Sequence, residues 1–228
     1  MGIFGGLISA VGGFIGGIAS KVGMGVGKMA QSVIGVFNKI KIPGADLGGL
    51  LGKVANTIGS VLDVLNIKSE ENPEVLGAKA EQCEKGADEF NSTKEYIKHL
   101  TEEMELDREK FDKLTPEEKT GCKAVGVALE TKAIEEEIGD ISISPECLGM
   151  VTKLQMNGVN IDGKDLVKII NALKEEGITN LNDVVDYLEG NGDSDRLATG
   201  EALVTALGED GEEKVNTLKD TIRKYEEQ

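Results

Sequence analysis

Laid out as a helix at about 100° per residue, residues 2–20 divide by side-chain size instead of by polarity. Gly2, Gly5, Gly6, Ser9, Ala10, Gly12, Gly13, Gly16, Gly17 and Ser20 fall on one half. Ile3, Phe4, Leu7, Ile8, Val11, Phe14, Ile15 and Ile18 fall on the other, and the first charge is Lys21. On the small half, Gly5, Ser9, Gly13 and Gly17 recur at every fourth position, a spacing that lets a second backbone approach closely, as in helix pairs within membranes. Seven of the first 20 residues are glycine, each costing about 1 kcal/mol against alanine in an aqueous helix. A helix of this kind needs a bilayer, a partner helix or both. The segment is therefore expected to be membrane-active or assembly-forming. Its small face is Gly5, Ser9, Gly13 and Gly17, and its large apolar face is Phe4, Leu7, Val11, Phe14, Ile15 and Ile18.

Charge splits the chain. Residues 1–67 hold Lys21, Lys28, Lys39, Lys41 and Lys53 against Asp46 and Asp63, a net of +3. The remainder holds 20 basic and 39 acidic residues, a net of −19, and 16 of the 30 glycines lie before the divide. Three regions follow: glycine-zipper helices over 1–67, a charged long-helix region over 68–143, and a small acidic helical domain over 144–228. A chain of net charge −16 lacks the clustered Lys and Arg that phosphate binding requires, so nucleic acid is not expected as a partner. The N-terminal lysines suit anionic headgroups, worth about 1 kcal/mol each near a charged surface; the acidic remainder favours solubility and leaves room for a protein or chaperone partner.

Local signals predict helices throughout. Residues 21–42 continue as an amphipathic helix folded back on the first around Gly23–Gly27. Pro43-Gly44 makes a turn and Asp46 an N-cap. Over 47–65 a second amphipathic face is formed by Leu47, Leu51, Val54, Ile58, Leu62 and Leu65, fit either to lie on a membrane or to serve as a core face. Leu76, Cys83, Phe90, Ile97, Met104 and Phe111 recur every seventh residue, half of a coiled-coil seam, and predict helices near 74–90 and 93–113. Thr115-Pro116-Glu117-Glu118 starts a helix to about Ile138, and Ser144-Pro145 starts another. Asp162, Asn180, residues 197–207 and residues 212–226 supply the rest. Ile141-Ser142-Ile143 is the only alternating stretch and is too short for a strand. The expected class is all-α, Gly-rich apolar N-terminal helices followed by an acidic multi-helix bundle.

No catalytic, cofactor or metal constellation emerges. Cys83, Cys122 and Cys147 are widely spaced and, with His99 the single histidine, do not form a zinc set; buried or free thiols are expected. Asn191, Asp193 and Asp195 resemble the start of a calcium loop, but Arg196 stands where glycine is required and Ala202 where a bidentate glutamate is required. Glu102-Glu103, Glu117-Glu118 and Glu135-Glu136-Glu137 are read as solvated helix faces, because three Tyr, five Phe and no Trp leave nothing to build a sugar cleft beside paired acids. The chain is not expected to be an enzyme. No cleavable signal peptide is expected, because the apolar opening has no basic n-region and is broken by glycine pairs. Gly6 stands where myristoylation wants Ser or Thr.

The texture of Met1 to Asn38, Gly-Gly pairs among Ile, Val and Phe, resembles the glycine-rich openings of internal virion proteins that tailed phages eject into the host envelope. It is also similar to the glycine-zipper segments of some bacteriocins and secreted pore-forming effectors (toxins). The resemblance implies a protein soluble in the producing cell or particle that becomes membrane-associated on delivery. The expectation is then a non-enzymatic, membrane-inserting or pore-forming homo-oligomer acting through 1–67. The alternative is a structural subunit of a virion, tail or secretion assembly that uses the Gly-rich helices as an oligomer seam.

Overall fold

In a computed structural model the chain is all-helical, with twelve α-helices and no sheet among the described residues. These are residues 3–39, 46–67, 69, 72–159, 161–191 and 196–226, with the backbone alone over 3–8, 196 and 225–226. Two compact units form, Met1–Glu137 and Ile138–Gln228.

The first unit contains α1 (Ile3–Val22), α2 (Met24–Lys39), α3 (Leu47–Val64), α4 (Pro73–Gln82), a 3₁₀ turn (Ala87–Glu89), α5 (Thr93–Glu102), α6 (Arg108–Asp112) and most of α7 (Pro116–Ile138). Gly23, at φ +83°, takes the left-handed conformation that glycine adopts without strain, and there α1 turns back into α2 as the sequence predicted. The pair packs backbone to backbone: a Cβ on Gly27 would stand 2.8 Å from the Cβ of Ala19. Asp46 caps α3, accepting from the Gly49 amide at 2.7 Å.

The heptad region is broken more often than its periodicity suggests. α4 ends at Cys83, whose backbone is extended (ψ 133°). Lys21 of α1 donates its ammonium to the terminal Glu81 carbonyl at 2.5 Å, a cation where the helix dipole and orphan carbonyls favour one. Beyond α5, Asp107 donates its amide to Gln82 Oε1 at 2.8 Å and caps α6 through Lys110. Leu76, Cys83 and Ile97 are buried, whereas Phe90, Met104 and Phe111 are half-buried. The seam is therefore a set of anchors for short helices, not one continuous stripe.

The axis of this unit is α7. From Gly121 to Glu135 it is buried on nearly every side, the condition of a helix enclosed by others. Its start is the capping box read from sequence: Thr115 Oγ1 accepts from the Glu118 amide at 3.2 Å, and Glu118 Oε2 from the Thr115 amide at 2.8 Å. A Cβ on Gly77 of α4 would lie 2.6 Å from the Cys122 carbonyl carbon, and one on Gly126 of α7 would lie 2.6 Å from that of Pro73. The α4–α7 crossing thus requires bare backbone on both sides.

The second unit is α8 (Pro145–Met156), α9 (Gly163–Glu175), α10 (Asn182–Glu189), α11 (Arg196–Leu207) and α12 (Gly211–Glu226). The alternating Ile141-Ser142-Ile143 makes an isolated parallel bridge to Asn180: the Ser142 amide donates to Thr179 O and the Leu181 amide to Ser142 O. Ile141 and Ile143 turn inward while Ser142 is exposed. Ser144 and Asp162 cap α8 and α9, as their positions in the sequence suggested, and Gly177 and Gly190 close α9 and α10 at positive φ.

Candidate functional site

On α1 the two halves read from sequence meet different environments. Val11, Ile15 and Ile18 are buried. Phe14 is half-buried with its ring against α7, where a Cβ on Gly121 would come within 2.6 Å of Cδ1. Ser9, Gly13 and Gly17 are exposed, and open space surrounds the Cβ positions of Gly13 and Gly17. The side chains of Phe4 and Leu7 and the environment of Gly5 lie outside the described residues. Leu47, Leu51, Val54, Ile58 and Leu62 of α3 are buried and Leu65 is half-buried, so this second face belongs to the unit's own core. The close backbone contacts within the unit fall elsewhere, at Gly27, Gly77 and Gly126. Sequence reading passed over Gly77 and Gly126, and each sits in a stretch of small residues (Gly77-Ala78, Gly126-Val127-Ala128) that was the available signal.

The α1–α2 hairpin carries Lys21, Lys28 and Lys39 and no acid. At its turn Met24 is 65 % exposed. Among the described residues no helix is long and apolar enough to cross a membrane.

The groups that sequence reading weighed for chemistry are held structurally. His99 Nδ1 lies 2.8 Å from Glu103 Oε2, and its ring is 5.1 Å from that of Phe90. The three thiols are free and buried, and burial raises those of Cys122 and Cys147 to about 12, which removes the thiolate that reactivity needs. Glu136 accepts from the Thr93 amide at 2.7 Å and from Thr93 Oγ1 at 2.6 Å, which ties α7 to the start of α5, and Lys94 pairs with Glu137 at 2.8 Å. No cluster of His, Cys, Asp or Glu suited to a metal occurs among the described residues. The Asn191–Asp195 loop falls largely outside them.

One buried acid was not singled out by sequence. Glu130, midway along α7, is 2 % exposed. Ser69 Oγ, in the α3–α4 linker, donates to its Oε1 at 2.9 Å, and its Oε2 has no partner among the described residues. Burial pushes its carboxyl up to about 7, opposed by the Ser69 hydrogen bond.

The fold and these features define an all-helical protein of two compact units whose first helix shows its small side outward. No family model matches the chain, and no curated protein or solved structure shows significant similarity to it.

Proposed function

We propose that this is a non-enzymatic assembly protein, a subunit of a particle, tail or secretion structure, that self-associates through the small face of α1. The observation that carries this reading is the orientation of α1 over its described side chains: Val11, Ile15 and Ile18 are spent on the core of their own unit, and Ser9, Gly13 and Gly17 face open space. A second helix docked there gains close van der Waals contact without displacing any side chain.

A second reading, membrane insertion after delivery from a soluble state, is supported by the α1–α2 hairpin, with its lysine-only charge and exposed Met24. It requires α1 to leave the core. Sedimentation of the full chain beside Gly13→Gln/Gly17→Gln, together with dye release from anionic vesicles, separates the two. A parent oligomer that becomes monomeric in the variant, without leakage, supports assembly. A monomer that releases dye supports insertion. A monomer that leaves vesicles intact refutes both.

A further inference from the structure

The second unit carries a groove that neither reading uses. It is about 510 Å³ and runs between α11 and α12. Leu197 and Val204 line one wall, seven residues apart on α11, or about 10 Å along the helix. Val215 lies on the other wall. Leu197, at the lip, is 75 % exposed. Glu201 and Glu212 stand on opposite walls, both exposed and without an ion pair among the described residues. Tyr187 closes the base under the Lys219 ammonium, 3.7 Å from the ring centroid. Close packing brings it there: a Cβ on Gly200 would lie 2.6 Å from the Tyr187 hydroxyl.

We propose that this groove docks a basic amphipathic helix of a partner protein. Leu197 and Val204 would take its apolar side chains above the buried Val215, and Glu201 and Glu212 its Lys or Arg. Charge complementarity selects the occupant. Residues 138–228 carry 19 acidic and 9 basic residues, so association with a cationic helix is accelerated and an anionic one repelled. Two helices flanking an apolar strip two turns long offer the geometry by which amphipathic helices are received in grooves. Lys219 is held over the Tyr187 ring, and neither carboxylate has an ion pair among the described residues.

The test uses the full chain and a fluorescein-labelled 14-residue Leu/Lys amphipathic peptide, followed by anisotropy, with a Leu/Glu peptide of the same pattern beside it. Two variants carry the groove substitutions Leu197→Ser and Glu201→Lys/Glu212→Lys. A third, Glu175→Lys/Glu176→Lys, makes the same charge change at exposed positions outside the groove. All replaced side chains are exposed, so folding is retained and is checked by circular dichroism. The expected result is saturable binding of the Lys peptide alone, weakened at least tenfold by either groove variant and less than threefold by the third. Equal loss in both charge variants means attraction to net charge only and overturns the proposal, as does binding of the Glu peptide. Self-association of the chain without peptide, abolished by Leu197→Ser, makes a second copy the occupant and also overturns it.

Discussion

Glu130→Gln tests the energetics of the first unit most directly. In the unfolded chain the carboxyl ionises near its ordinary 4.5; in the fold, burial raises it to about 7. Below pH 4.5 both states are protonated and the group's contribution to stability is complete. Between 4.5 and about 7 the unfolded chain releases a proton that the folded chain keeps, so stability falls by about 1.4 kcal/mol per pH unit. Above 7 the folded chain holds a buried carboxylate with one hydrogen bond, and about 3 kcal/mol has been lost. Glutamine keeps an acceptor for Ser69 and removes the titration, while its amide nitrogen occupies the unpartnered Oε2 position at a pH-independent cost of about 1–3 kcal/mol. The variant is therefore expected to be the less stable protein at pH 5 and to gain about 3 kcal/mol on the parent by pH 8. Hydrogen exchange of the α7 amides reads this unit separately from the other, and urea unfolding followed by circular dichroism suits a chain without tryptophan. Parallel pH profiles for parent and variant over this range would refute the reasoning.

The α4–α7 crossing predicts that Gly77→Ala or Gly126→Ala costs about 3 kcal/mol or more, because a Cβ at either site meets the backbone of the facing helix, which cannot give way as a side chain can. Gly52→Ala on α3, where nothing lies within 4 Å, is expected to add about 1 kcal/mol from helix propensity; thermal unfolding of the three variants reads both signs. Cys122 and Cys147, buried with thiols raised to about 12, should resist iodoacetamide at pH 8 in the native protein and react fully in urea. Rapid native alkylation, followed by mass spectrometry, would show that the core opens.

Helix starts were the most legible part of the sequence. Asp46, Thr115, Ser144 and Asp162 each satisfy their first-turn amides as local spacing implied, because a cap is settled within four residues. Gly23 marked a real turn for the same reason. The division of α1 into a large and a small face was also local, fixed by 3.6 residues per turn. Which face would be covered was not local. It was set by α2 folded back on α1 together with elements far along the chain, α4 and the Gly121 of α7 that faces Phe14 from more than a hundred residues away. The pairing of Gly77 with Cys122 and of Ser69 with Glu130 likewise joins residues with no shared periodicity. By itself, then, the sequence determined where most helices begin and which sides of them are apolar, but not where the short helices between 74 and 113 end. Only the tertiary structure decided which apolar side was buried, which glycines carry the close crossings and which glutamates were taken out of water: Glu130, and Glu135 from a run expected to be a solvated face. Those outcomes are set by long-range packing and desolvation, which no short window of sequence contains.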